Sequence, residues 1–285
     1  MDQRLITFLT LCKTMNYRVT AQKLHLTQPA VTKQIQSLER ELDTKLFTYE
    51  KNKLKRSEDS YTLENYAVSF QFNYESLLHK LKHKGKQTLR IGITKTVGDI
   101  VILEPLKKYI ENSDDDIELS VDNTDNLFKK LKDNKKDFLI VEGIFDKNAY
   151  DHFLYSREFF TGICSIKNKL ANKKVNLKQI FDETILIREK GSGNRNLLET
   201  ELNRCGYNIE NFSRTINVSN INIIRELLLE NLGITVGYDR IIHKMDDLAT
   251  FEIEGVSRYH EFNIVSLKNT SGIKKAERFL DLKEK

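Results

Sequence analysis

The hydrophobic period of the chain changes once, at Thr88, and the change separates two kinds of fold. Before it, apolar residues recur every three to four positions, as on one face of an α-helix. Leu5, Phe8, Leu9 and Cys12 do so, then Val31, Ile35, Leu38 and Leu42, then Leu63, Tyr66, Phe70, Tyr74, Leu77 and Leu81. After it, short apolar runs at 89–93, 117–121, 138–141, 184–187, 215–218 and 234–236 read as strands. Helical patterns lie between them, through Leu103, Leu106 and Ile110, over 127–131, from Asn194, and up to Leu232. Strands alternating with helices predict parallel sheets covered by helices. At 285 residues the chain has room for two or three domains.

Charge divides at the same place. Residues 1–87 carry 15 Lys and Arg against 9 Asp and Glu, a balance of +6, and the remainder carries 31 against 32. A local basic excess is what phosphate contact requires, although a solvated surface looks the same in composition. No apolar stretch approaches the roughly 18–20 residues that span a bilayer, and the N-terminus lacks a signal-peptide pattern, so a cytoplasmic protein is expected. Cys12, Cys164 and Cys205 form no close pair, and His79 with His83 is the only i,i+4 histidine pair. Neither a disulfide framework, a metal site nor a cofactor is expected.

Within the basic third, a short helix over 18–24 precedes a stronger start signal. Thr27 can serve as N-cap and Pro29 stands in the first turn, where its missing N–H costs nothing. If Val31, Ile35, Leu38 and Leu42 face inward, Gln28, Thr32, Lys33, Gln36 and Arg40 face out. Such side chains at a helix start can read the donor and acceptor pattern of the major groove. An ordinary three-helix bundle with a polar face would look similar.

The segment 16–47, NYRVTAQKLHLTQPAVTKQIQSLERELDTKLF, decides between them. Its Thr27-Gln28-Pro29-Ala30-Val31, Gln34-Ile35, Leu38-Glu39 and Leu46-Phe47 resemble the LysR-type transcriptional regulator family in register. The resemblance implies that Gln28, Pro29, Thr32 and Lys33 face the bases and that Thr27 holds the backbone; Gln36, on the same outward face, is a further candidate for DNA contact. It implies a two-stranded wing next, where Lys51, Lys53 and Arg56 suit backbone or minor-groove contact. The family often has Arg two positions after the Leu-Phe pair; Tyr49 stands there instead. Residues 57–60 read as a turn and Thr62 as the cap of a long linker helix, through which two chains would pair. The lysines at 80, 82, 84 and 86, with Gly85, look like a hinge.

The fold class expected is therefore mixed: a mainly α winged helix-turn-helix (1–60), a linker helix and hinge (61–87), then an effector-binding domain (88–285). By the resemblance, that domain has two α/β lobes of the periplasmic-binding-protein-like type II fold. Lobe one would comprise 88–163 and 260–285, and lobe two 164–259. Three loops at the carboxyl ends of strands are candidate effector contacts: Thr94-Lys95-Thr96, Ser192-Gly193-Asn194-Arg195, and Ser219-Asn220. Glycines between a strand and a helix let backbone N–H groups approach an anion, although a Gly-rich turn alone explains them equally. Lys95 and Arg195 would suit a small carboxylate, sulfate or phosphate. Asp137 and Glu142 read as structural.

The expected partners are double-stranded DNA carrying an inverted repeat, a small-molecule effector, and further copies of the chain in a homodimer or homotetramer. RNA polymerase is a candidate further partner. Two other classes stand beside this one: a ligand-independent architectural DNA-binding protein, and an enzyme with a fused DNA-binding module. The chain has no nucleophile elbow, P-loop, dinucleotide fingerprint or HExxH, so no catalytic residue is expected.

Overall fold

The computed structural model describes residues 1–51, 53–82, 87–143, 145–242 and 245–281 (backbone alone at 99 and 100). His83 and residues 84–86 of the expected hinge lie outside the described residues, while its first two lysines, Lys80 and Lys82, belong to the helix that ends at Lys82. The chain divides into two compact units, Met1–Gln87 with Lys132–Asn134 and Lys268–Ser271, and the rest.

The first unit begins with α1 (Gln3–Thr14), α2 (Tyr17–Leu24) and α3 (Gln28–Glu41). Each starts on a polar side chain that satisfies a first-turn N–H: Asp2 accepts from Arg4, Asn16 from Val19, and Thr27 from Ala30. Leu42 is exposed, because α3 ends at it and its stripe stops at Leu38. A hairpin of β1 (Phe47–Glu50) and β2 (Lys53–Arg56) follows, then α4 (Glu58–Lys82). The helix starts four residues before Thr62. Ser57 Oγ accepts from Ser60 N at 3.1 Å, and Glu58 and Asp59 in the first turn favour the helix dipole. The core gathers Phe8, Leu11, Ile35, Leu38, Leu46 and Phe47, with the rings of Phe8 and Phe47 5.8 Å apart. Each large side chain buried there contributes about 1.5–3 kcal/mol.

The second unit runs β3 (Thr88–Thr94), α5 (Lys95–Ile100), α6 (Leu103–Asn112), β4 (Asp116–Asp122), α7 (Thr124–Lys132) and β5 (Phe138–Glu142). It continues through β6 (Tyr150–Ser165), β7 (Lys174–Val175), α8 (Leu177–Phe181), β8 (Thr184–Ile187), α9 (Gly193–Arg204) and β9 (Arg214–Asn217). It ends with α10 (Ile221–Leu229), β10 (Thr235–Tyr238), β11 (Leu248–Ile253), β12 (Tyr259–Leu267) and α11 (Gly272–Phe279). On α6 the inner side chain is Tyr109, while Leu103 and Ile110 of the expected stripe are exposed.

The sheet is mixed, which corrects the expectation of parallel sheets. The main order is β4-β3-β5-β12-β6-β11-β7, with β10 also on β6. β3 is parallel to β4 and β5, but β12 is antiparallel to β5 and β6, and β10 and β11 are antiparallel to β6. The alternation of strand and helix breaks after β5, resumes from α8 to β10 and ends there, and the long strands β6 and β12 that pass between its two stretches pair antiparallel. β6 carries the chain from one half of the sheet to the other: Tyr150 to Phe159 pair with β12, and Phe160 to Ser165 with β10 or β11. The lobe border expected after 163 falls inside this strand. β8 and β9 form a separate parallel pair, joined through the Ile185–Ile234 bridge to the segment leading into β10. Within this unit the carboxyl ends of β3, β5 and β8 meet.

Candidate functional site

The outward face of α3 carries Gln28, Pro29, Lys33, Gln36 and Arg40, all exposed, with Thr27 exposed at the cap. Thr32 is half-buried and its hydroxyl donates to Gln28 O at 3.1 Å. Val31, Ile35 and Leu38 point inward and fix the helix rotation. The helix is anchored at its far end by Glu39, which the sequence marked only as part of the Leu38-Glu39 pair of the resemblance. Glu39 is 7% exposed, and its Oε1 accepts from Leu46 N at 2.9 Å and Phe47 N at 3.3 Å. Lys45 Nζ reaches Glu39 Oε2 at 3.0 Å. The same side chain therefore ties the last turn of α3 to the first strand of the wing.

The wing separates its cations. Lys51 and Lys53 are exposed, and no ion pair involves either among the described residues. Lys55 pairs with Glu50 across the hairpin. Arg56 turns inward: its guanidinium pairs with Glu64 at 2.7 Å, donates to Ser60 Oγ and Ser60 O at 3.1 Å each, and lies 4.0 Å from the centre of the Tyr61 ring. This arginine, expected to contact DNA, is the support of the β2–α4 junction.

In the second unit two of the three expected loops come together. Thr94, Lys95 and Thr96 meet Ser192 and Gly193 in a cleft that Asp122, Asn123, Thr124, Glu142, Arg188 and Glu189 complete. The free volume among them is about 10 Å³. Lys95 Nζ spans the cleft to Glu189 Oε1 at 2.6 Å, and Arg188 Nε lies 3.2 Å from Glu189 Oε2. Glu142, fully buried at the end of β5, accepts from the hydroxyls of Thr94 and Thr96. Its carboxyl lies against the head of α9, where a β-carbon on Gly193 would come within 2.9 Å of Oε1. Burial pushes this carboxyl above the usual range, against the lowering pull of both threonines and Arg188.

The remaining candidates lie elsewhere. Arg195 is buried and occupied, with Nε 2.7 Å from Glu199 and Nη1 2.8 Å from Asn217 Oδ1 and 3.2 Å from Arg188 O. Asn194 packs beneath β10, close to Gly237. Ser219 and Asn220 are exposed, and Asn220 accepts from Asn222 N and Ile223 N to cap α10. Glu142, Arg188 and Glu189 were missed as site residues. The signal available for Glu142 was an acid directly following the apolar run of β5.

Burial pushes the thiols of Cys12 and Cys164 up to about 12, which leaves them poor nucleophiles. Among the described residues no cluster of His, Cys, Asp and Glu could hold a metal, and no helix is long and apolar enough to cross a membrane.

Known proteins match both units. Residues 3–59 match the family model described as bacterial regulatory helix-turn-helix protein, lysR family, and residues 82–284 match the LysR substrate binding domain. The HTH-type transcriptional regulator CitR of Bacillus subtilis is 24% identical over 234 residues, covering 80% of this chain and 79% of CitR. The RuBisCO operon transcriptional regulator of Allochromatium vinosum is 24% identical over 258 residues, covering 88% and 84%. Among solved structures, an OxyR variant from Corynebacterium glutamicum superposes with a TM-score of 0.60 at 20% identity, over 97% of this chain and 88% of that one. The Synechocystis CcmR regulatory domain in complex with 2-PG gives 0.61 at 16%, over 70% and 98%. The winged helix-turn-helix, the mixed α/β fold and both family models agree: the chain belongs to the LysR family of transcriptional regulators.

Proposed function

We propose that two copies of this chain pair along α4 and set their α3 helices into successive major grooves of an inverted repeat. A small effector bound in the cleft of the second unit then governs how the pair sits on DNA. The observation that carries the DNA reading is the α3 face itself. Gln28, Pro29, Lys33 and Gln36 stand exposed on a helix whose other side is held by core packing and by Glu39. Side chains of this kind near a helix start can reach base edges. Lys51 and Lys53 on the wing would add phosphate contacts.

Pairing is supported by α4, which leaves Tyr66, Phe70, Leu77 and Leu81 more than half exposed along one stripe. An effector is supported by the convergence of Thr94, Lys95, Thr96, Ser192 and Gly193 at strand ends, and by the substrate-binding family model. The solved relative CcmR carries 2-PG in its regulatory domain. An effector regulates only if it binds one arrangement better than the other, typically by about 1–3 kcal/mol. Two lobes joined by β6 and β12 would supply those arrangements.

The test is footprinting of the purified full-length protein on DNA flanking its own gene. Protection of an inverted repeat is expected. Uniform protection that falls steeply with salt, with no sequence preference, would instead identify an architectural DNA-binding protein.

A further inference from the structure

The cleft around Glu142 has a chemistry that selects among effectors. In a helix-head site built for an anion, first-turn N–H groups and unpaired cations would meet the ligand's negative charge. Here that position is taken by the chain itself. The Glu142 carboxyl rests against Gly193 at the head of α9 and accepts from Thr94 and Thr96. Both cations of the cleft lie against Glu189: Lys95 at 2.6 Å and Arg188 at 3.2 Å. Arg195, the cation nearest the head of α9 in sequence, is turned away to Glu199 and Asn217. Of the three acids in the lining, Glu189 holds Lys95 and Arg188 and Asp122 holds Lys130 at 2.8 Å, while Glu142 pairs with no cation among the described residues.

Size points the same way. A free volume of about 10 Å³ admits one water-sized group. An ammonium head is of that size, and a carboxylate or phosphate is larger. Near Glu142 one buried group lacks a partner: the Tyr238 hydroxyl, on a fully buried side chain at the end of β10, makes no hydrogen bond to any described residue. The geometry points to an effector that enters this cleft by a protonated amine, with Glu142 as its counter-ion and the anion position at the head of α9 closed to free anions. This rests on the reading that the cleft holds an effector.

The probes are methylammonium and formate, at ionic strength matched with sodium chloride, against the full-length chain. Thermal unfolding is followed for the natural protein and for Glu142→Gln, which keeps an oxygen that Thr94 and Thr96 can reach. Methylammonium is expected to raise Tm in the natural protein and not in Glu142→Gln, and formate to leave both unchanged. The methylammonium response should grow as pH rises. The carboxyl must be ionised to hold an ammonium, and burial favours its protonated form; Arg188, Tyr238, Lys95, Glu189 and Asp122 with its partner Lys130 are the titratable groups around it.

Three outcomes would overturn the inference. Stabilisation by formate that survives in Glu142→Gln would place an anion in the cleft, leaving the effector reading intact. A methylammonium response retained in Glu142→Gln would place the amine elsewhere. No response to methylammonium at any pH would remove the amine class, while footprinting judges the DNA reading independently.

Discussion

Lys95 Nζ lies 2.6 Å from Glu189 Oε1, a contact that joins the end of β3 to the end of β8 across 94 positions of sequence. The side chains are 40% and 26% exposed, so solvent screens the pair and its contribution to stability is at most about 1 kcal/mol. Burial raises the Glu189 carboxyl, but the bond from Lys95, a backbone bond and Arg188 bring it below the usual range on balance. A carboxyl depressed in the folded state stabilises above its unfolded value of about 4.3, and that stabilisation is lost as pH falls through the folded value. Lys95→Ala should therefore be slightly less stable than the natural chain near neutrality and converge with it in acid. Urea unfolding over a pH series measures this. A gap of unchanged size at every pH would show that the pair does not set it.

Glu39 makes a sharper prediction because its partners are backbone amides. In Glu39→Ala, the N–H groups of Leu46 and Phe47 lose their acceptor inside the core. Leaving buried donors unmet costs about 1–3 kcal/mol. Glu39→Gln keeps one acceptor oxygen and should lose less than half as much. Stability falling from the natural chain to the Gln variant and then to the Ala variant, by thermal unfolding, would bear this out. Equal losses for Ala and Gln would mean that the Lys45 pair, not the amides, is what matters.

On the wing, two neighbouring cations should behave differently. Lys53 is exposed, so Lys53→Ala should leave folding intact, weaken binding to every DNA, and reduce the salt slope of binding by about one. Arg56 is held by Glu64, Ser60 and Tyr61, so Arg56→Ala should cost about 1–3 kcal/mol of stability and leave the salt slope nearly unchanged. Lys33→Ala, on the α3 face, should reduce discrimination between cognate and altered sites by about 1–3 kcal/mol. Titrations on cognate and random DNA at several salt concentrations separate the three. A lower salt slope in Arg56→Ala would return that arginine to the DNA surface.

These contrasts also mark where the sequence was legible. Spacing of apolar residues and cap signals located α1 to α3, β3 to β5 and β8 to β10, because local periodicity and local hydrogen bonds determine them. β6, β11 and β12 were missed. In β6 the exposure pattern changes along the strand, from half-exposed through Tyr155 and Ser156 to buried from Phe160 onward, so no single period marks it. Its antiparallel partners lie about 70 to 115 positions away. The direction of a long cationic side chain was equally out of reach. Arg56 and Arg195 sit where a ligand-facing cation is expected, and Glu64, Glu199 and Asn217 claim them through tertiary contacts. Glu142 was read as structural because its acceptor role depends on Thr94, 48 positions earlier.

The last prediction concerns α4. Phe70 is 51% and Leu77 52% exposed, on the same stripe as Tyr66, Tyr74 and Leu81, and Phe70 stacks on Tyr74 with ring centres 6.3 Å apart. A helix of 25 residues with such a stripe exposed on one chain is suited to a symmetric partner, in which every stripe residue is covered twice. Covering the exposed half of each such side chain contributes about 1 kcal/mol. Phe70→Ser with Leu77→Ser removes four side chains from a symmetric pair, on the order of 4 kcal/mol, or about a thousandfold in the dimer Kd. Both positions already meet solvent in the single chain, so the folded protomer should survive the change. Sedimentation equilibrium should show the natural chain associated and the double variant largely monomeric at the same concentration. Footprints should then weaken on paired half-sites far more than on a single half-site. If the variant remains as associated as the natural chain, pairing runs through another surface, and α4 is not what sets the spacing between the two α3 helices.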